Sequence, residues 1–193
     1  MTDYRQKWIA FLKATTPDKR AAFLARLSAE ELRYLIYDWQ IWARSKQLPP
    51  EGRWFIWLIM AGRGFGKTRA GAEWIRSVAR KRTTALIALV GHTMDDVRHV
   101  MVEGQSGILN ISPSEERPAW FPSKRLLVWP NGVRARCYSA EDPNQLRGPE
   151  HEKAWCDEIA KWRYSQTWEN LMLGLRAGKH PQVLATTTPR PCP

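Results

Sequence analysis

Acidic side chains and cysteines are in short supply in this sequence. Its 193 residues carry 19 Asp and Glu against 30 Lys and Arg, a formal net charge of +11. Net charge bears on association rather than on fold, and this excess points to an acidic partner, most naturally nucleic acid. The plainer alternative is a basic surface that aids solubility. The cations are scattered over Lys7, Arg20, Arg26, Arg80, Lys81, Arg82, Arg134, Arg136 and Arg176, so no single segment identifies a DNA-binding element. Three widely spaced cysteines, Cys137, Cys156 and Cys192, form no paired Cys/His spacing. That argues against a disulfide framework or a zinc site and fits a reducing cytoplasm. The amino terminus lacks the apolar core of a signal peptide. No apolar run reaches the ~18 residues that would span a membrane. Internal repeats and low-complexity tracts are also missing.

What is present is ordinary in bulk. Hydrophobic residues make up 44% and charged residues 25%, values typical of a globular chain long enough to bury one sizeable core. The 11 tryptophans are unusual. The decisive stretch runs from Trp54 to Arg69. An apolar run from Trp54 to Met60 reads as a buried strand, broken by Ala61-Gly62-Arg63-Gly64-Phe65-Gly66-Lys67-Thr68. An amphipathic helix over Arg69–Ala79 then follows. Strand, glycine loop, Lys-Thr and helix form the phosphate-cradling arrangement called the P-loop, in which backbone N–H groups and a helix N-terminus face an anion. Gly62, Arg63, Gly64, Phe65 and Gly66 would line the phosphates. Lys67 would reach the β- and γ-phosphates, and the Thr68 hydroxyl would ligate Mg²⁺. Ala61 stands where the pattern has its first glycine.

Upstream, the chain reads as helical to about Lys46. Trp8, Ile9, Phe11 and Leu12 cluster first. Thr16-Pro17 then reads as an N-cap with proline at the first helical position. Ser28-Ala-Glu-Glu31 reads as a capping box, and Leu32, Leu35, Ile36, Trp39 and Trp42 sit at helical spacing on one continuing helix. Gln40 follows Trp39. A glutamine placed shortly before such a strand can read an adenine edge, since its amide both donates and accepts; taken alone it is a helix-surface residue.

Downstream, Thr84–Gly91 is an uninterrupted apolar run, as expected of a parallel strand covered on both faces. Met94–Val102 reads as a helix capped by Thr93. His92 and His99 read as surface or structural residues without carboxylates at ligand spacing. The Asn131-Gly132 turn between Arg125–Trp129 and Val133–Tyr138 predicts a hairpin, with Arg134 and Arg136 on one face. A short apolar strand then ends in Asp157-Glu158. That pair is what a P-loop ATPase needs opposite its phosphate loop: Asp157 orients Mg²⁺, and Glu158 polarises the attacking water. After a helix over Trp168–Leu175, Pro181–Pro189 reads as a buried strand with Thr186, Thr187 and Thr188 at its carboxyl end. Ligands of parallel sheets gather at such ends, so these threonines are candidates for the γ-phosphate or water; finishing a strand is their plainer role.

Four stretches carry a family resemblance. Ala61–Trp74, Leu146-Arg-Gly-Pro-Glu150, Trp155-Cys-Asp-Glu-Ile-Ala-Lys-Trp162 and Leu184–Pro191 occur in order and strongly resemble the large terminase subunit, the ATPase motor that packages double-stranded DNA into tailed-phage and gene-transfer-agent heads. The likeness runs from about Tyr37 to Pro191. It implies that Arg63 meets the γ-phosphate and supports transition-state charge, that Asp157 and Glu158 are the Walker B pair, and that Thr186–Thr188 couple hydrolysis to DNA movement. Gln40 matches the adenine-recognition motif more loosely. The family continues into an RNase H-like nuclease domain, of which no residue is expected in this chain. Whether the last strands of a complete ATPase sheet lie beyond it is open.

The expectation is therefore an α/β P-loop NTPase with a mainly parallel central sheet flanked by helices, a helical appendage over 1–50 and the ATPase core over 51–193. ATP and Mg²⁺ are the expected cofactors. By resemblance, double-stranded DNA, a portal protein and a small terminase subunit are the partners, around a homo-oligomeric ring. The expected location is the bacterial cytoplasm, transiently the capsid portal. Two other readings stay open: a nucleotide- or DNA-binding module without turnover, and a helicase-like ATPase sharing the loop and the Asp-Glu pair.

Overall fold

The computed structural model describes residues 10–11, 14–81 and 85–189. Trp8, Ile9, Leu12, Arg82, Thr84, Arg190, Pro191 and Cys192, which figure in the sequence reading, lie outside them. Two compact units divide the chain, Met1–Leu48 and Pro49–Pro193.

The first unit is helical. Helix α1 spans Pro17–Leu24 and α2 spans Ala29–Tyr37. Ser28 caps α2 as expected: its hydroxyl accepts from the Glu31 amide while the Glu31 carboxylate takes the Ser28 amide at 2.8 Å. Thr16 precedes Pro17, but its side chain makes no capping bond. The single helix expected through Trp42 is interrupted. Asp38 is extended at ψ 95°, and its carboxylate accepts from the Gln40 amide at 3.0 Å, starting a separate turn over Trp39–Trp42. An aspartate that caps a new turn outcompetes the apolar spacing, which runs on across the break.

The second unit is a seven-stranded sheet: β1 Ile56–Met60, β2 Leu86–Gly91, β3 Ala119–Phe121, β4 Leu126–Val128, β5 Arg134–Ser139, β6 Lys153–Cys156 and β7 Gln182–Thr187. The order is β1-β7-β6-β2-β5-β4-β3. The first five of these run parallel, and the hairpin around Asn131-Gly132 adds β4 and then β3 antiparallel. The register sets Ile59 opposite Thr186 and Trp155 opposite Leu184. The carboxyl ends of β1, β7 and β6 thus finish side by side.

Helix α3, Lys67–Lys81, covers one sheet face with Trp74, Ile75, Val78 and Ala79 buried. It can approach so closely because residue 71 is glycine: a Cβ there would lie 2.2 Å from Cε2 of Trp155. Helix α4, Ser165–Gly174, covers the other face, where Val90, Tyr138, Cys156, Leu171, Val183 and Ala185 share one core. Cys137 and Cys156 are free and buried, and burial pushes the Cys137 thiol up to about 12.

The reading of Trp54–Met60 as a buried strand needs correction. β1 is an edge strand with alternating burial: Trp57 and Ile59 face the core, whereas Ile56, Leu58 and Met60 are 48%, 50% and 62% exposed. A continuous apolar run is compatible with two-sided burial, but it does not encode which strand stands outermost.

Candidate nucleotide site

The phosphate loop leaves β1 at Ala61 and enters α3 at Lys67. Gly64 and Gly66 adopt φ of +76° and +85°, the left-handed region where glycine is unstrained. Ala61 is not among the positive-φ residues, so alanine costs nothing at the first position. Its amide donates to the Thr187 carbonyl at 3.1 Å, extending the β1–β7 pairing into the loop.

Lys67 is 8% exposed and folds back over the loop. Its Nζ donates to the Ala61 carbonyl at 2.9 Å, the Gly62 carbonyl at 3.3 Å and the Thr188 hydroxyl at 2.9 Å, and stands 3.5 Å from the Glu158 carboxylate. Glu158 follows β6 in a left-handed conformation, φ 50°. Such strain in a non-glycine residue costs roughly 1–3 kcal/mol and persists where the surroundings over-determine it. Burial pushes the Glu158 carboxyl up, but hydrogen bonds from Thr188 together with Lys67 and Lys161 outweigh it, and the net shift is downward.

Asp157 lies deeper, 7% exposed. Burial raises its carboxyl to about 6, against a 2.5 Å hydrogen bond from the Thr186 hydroxyl that works the other way. The three threonines divide their labour along the acidic turn. Thr186 holds Asp157, Thr187 Oγ1 accepts from the Ala160 amide at 3.1 Å, and Thr188 holds Glu158. Thr186 and Thr187 are buried, and Thr188 is the one of the three that lines the cavity over the loop.

That cavity measures about 680 Å³, and its walls include Arg63, Phe65, Thr68 and Glu158. The structure therefore brings together the loop, Lys67, Thr68, Glu158 and Thr188. Gln40 belongs to the helical unit, where its backbone amide is bonded to Asp38. The wall residues that were not anticipated include Arg69, His99, Gln105, Ser106 and Lys161. His99 sits on a π-helical segment, Val97–Val102, that continues from Met94–Asp96. Wide helical turns of this kind often mark functional sites. The two histidines do have carboxylates one turn on: His92 faces Asp96 at 3.5 Å and His99 faces Glu103 at 3.7 Å. A sequence reading attentive to i,i+4 pairs would have found both. Neither pair makes a cage, and no group of three or more His, Cys, Asp or Glu able to hold a metal occurs among the described residues.

Residues 58–192 match the family model described as terminase large subunit, T4likevirus-type, N-terminal. No curated protein sequence matches significantly. Among solved structures, the HK97 bacteriophage large terminase superposes with a TM-score of 0.58 at 17% identity, over 84% of this chain and 33% of that one. The large terminase of a thermophilic bacteriophage, solved with ADP, gives 0.59 at 11% identity over 83% and 38%. The isolated ATPase domain of the Thermus phage P74-26 large terminase gives 0.55 at 15% identity over 87% and 72%. This chain thus spans about two-fifths or less of the full-length relatives, and the shared fold is the doubly covered, mostly parallel sheet described above.

Proposed function

The chain belongs to the terminase large-subunit family through that family's N-terminal portion, and from this premise we propose that it hydrolyses MgATP as the motor portion of a DNA-packaging machine. The observation that carries the reading is the junction at Thr188, where one hydroxyl donates to the Glu158 carboxylate and accepts from Lys67. A group that binds phosphate and a group that activates water are therefore tied to the end of the same strand.

The roles follow from the chemistry of each residue. The Gly62–Thr68 loop cradles the triphosphate, and Lys67 exchanges its neutral carbonyl partners for charged phosphate oxygens, which are stronger acceptors. Glu158, kept ionised by its partners, accepts a proton from the attacking water or aligns it. Arg63 offers a guanidinium to the charge that develops on the γ-phosphoryl oxygens.

Thr68 and Asp157 would hold Mg²⁺. A buried carboxylate pushed up to about 6 by desolvation is a place that gains from added positive charge. One hydroxyl and one carboxylate suit an ion that takes most of its ligands from phosphates and water. When bound, the ion neutralises phosphate charge and fixes the oxygens in place.

Thr186 and Thr187 keep the acidic turn in register with the loop strand. The helical appendage of residues 1–50 precedes an ATPase core over 51–193. Double-stranded DNA, portal protein and small terminase subunit are the partners, around a ring of subunits in the bacterial cytoplasm that docks at the capsid portal. No helix among the described residues is long and apolar enough to cross a membrane.

The test is steady-state ATP turnover with and without double-stranded DNA, comparing the unaltered chain with Glu158→Gln and Lys67→Ala. Both variants should lose at least about a hundredfold in rate. Turnover like that of the unaltered chain in both would overturn the proposal. Salt-dependent DNA binding without any hydrolysis would replace the motor with a binding module.

A further inference from the structure

The sheet has a second concave site, at the opposite ends of its parallel strands from the phosphate loop. A cavity of about 1030 Å³ opens where β1, β6 and β7 begin, and it is larger than the one over the loop. Four cations line it: Arg53 before β1, Lys81 at the end of α3, Lys153 at the start of β6 and Lys179 before β7. No aspartate or glutamate is among its described lining residues.

The cationic end is built into the fold. Lys153 is 3% exposed, donates to the His180 carbonyl and stands 3.6 Å from Glu152. Arg53, across the cleft mouth, has its Nη2 3.4 Å from His180 Nδ1. Lys179 also lines an adjoining cavity of about 590 Å³ that contains Arg134, so the positive strip continues along the sheet end towards β5. Glu152 is the one carboxylate among the described residues that line that second cavity. Concave surfaces of one charge sign with low-dielectric walls focus potential, and Arg53, Lys81, Lys153, Lys179 and Arg134 here face a single described carboxylate, Glu152.

The walls are aromatic. Phe55, 43% exposed, and Trp54 line the same cavity, and the Trp54 ring is backed at 5.7 Å by that of Trp74, which is only 5% exposed and so supports the surface rings rather than offering a free face. Cations beside aromatic faces form the combination that holds unpaired nucleic acid, with phosphates on the charges and bases stacked on the rings. A duplex is a poorer match, since its bases are already stacked inside it and leave the rings without a partner. An acidic peptide satisfies the charges but offers no π-face at regular spacing.

We infer that this cleft is a binding site for an unpaired nucleic-acid strand, distinct from the nucleotide site and independent of whether ATP is hydrolysed there. The experiment is fluorescence anisotropy of a labelled oligothymidylate of about 12 nucleotides, within the span of known single-strand sites, titrated with the chain at several salt concentrations. Competitors are a duplex of the same length and poly-glutamate. Lys81→Glu and Lys179→Glu should each weaken oligothymidylate binding about tenfold and flatten its salt dependence. Phe55→Ala should weaken it several-fold through lost stacking. Lys124→Glu, an equal charge change on the short turn between β3 and β4, should have little effect. Circular dichroism and ATP turnover of each variant separate a folding defect, or a failure at the nucleotide site, from a failure of this one. The inference is overturned by absent binding, by an equal loss in Lys124→Glu, or by duplex or poly-glutamate outcompeting the oligothymidylate at the same residues.

Discussion

Thr188 and Glu158 are joined twice: the threonine hydroxyl donates to Oε1 at 2.8 Å, and its amide donates to Oε2 at 3.2 Å. The pair spans two neighbouring strands, with Glu158 just past β6 and Thr188 just past β7. Because Glu158 is held in a left-handed backbone conformation, its side chain depends on these contacts for direction. A threonine that looks like a strand terminator in the sequence is therefore a positioning residue for the proposed base.

Thr188→Val should lower kcat by at least about tenfold, part of the roughly 10²–10⁴-fold that a positioned base contributes. Nucleotide affinity should change far less. Burial favours the neutral Glu158 carboxyl, and Thr188 helps to reverse that preference, so its removal raises the pKa. The acid limb of the kcat–pH profile should move to higher pH, and Thr188→Ser should restore it. A profile unmoved in Thr188→Val would show that the hydroxyl does not act through Glu158.

Gly71→Ala should destabilise the fold by about 1–3 kcal/mol or more, the usual cost of overpacking. The new Cβ would clash with the Trp155 ring, 2.2 Å from Cε2 and 2.4 Å from Cζ2, and that ring is fully buried between α3 and the sheet. Thermal unfolding would register this as a drop of several degrees. An unchanged midpoint would mean that α3 can lift from the sheet without penalty.

Glu73 and Arg76 form a buried ion pair on α3 at 3.1 Å, with side chains 2% and 4% exposed. Arg69 adds a second bond to Glu73 at 2.7 Å, and Glu116 a second to Arg76 at 2.8 Å. Glu73→Ala should cost about 3–5 kcal/mol, because the buried Arg76 guanidinium loses a buried charge partner. Chemical denaturation would measure the loss; a cost below ~1 kcal/mol would show that Glu116 compensates.

His151 gives the chain an acid-sensitive stability. The ring is 4% exposed, its two nitrogens have no hydrogen-bond partner among the described residues, and it packs edge-on against Tyr138. Burial first, then Arg136, lowers its pKa to about 4 from an ordinary 6.5. The unfolded chain therefore binds the proton more readily. Stability is fully present above about pH 6.5 and is lost as pH falls towards 4, by roughly 2–3 kcal/mol. His151→Phe should flatten that part of the stability–pH curve in denaturant titrations. A slope unaltered by the substitution would assign it to other groups.

The chemical parts of the site were legible in the chain. Gly64, Gly66, Lys67 and Thr68 sit in one local pattern, and Asp157-Glu158 and the threonine strand repeat known chemistry at their own positions. The Ser28 capping box and the Asn131-Gly132 hairpin were equally local and equally readable. What could not be read depends on neighbours distant in sequence. Nothing in Ile56–Met60 says that β1 is outermost, and nothing in Thr186–Thr188 says which carboxylate each will meet. His99, Gln105 and Ser106 reach the cavity only because the π-helical segment packs beside the loop. Asp38 was the opposite case: a local capping signal was present, but a longer apolar periodicity masked it.

The open margin of β1 has a consequence for handling. One side of this strand is paired with β7, while among the described residues none pairs with the other, and Ile56, Leu58 and Met60 face outward beside it. A row of vacant main-chain donors and acceptors flanked by apolar side chains is a template for another extended chain. At high concentration the molecule should thus be prone to colloidal self-association nucleated directly beneath its phosphate loop, and a lysine at Leu58 would be the simplest gatekeeper against it.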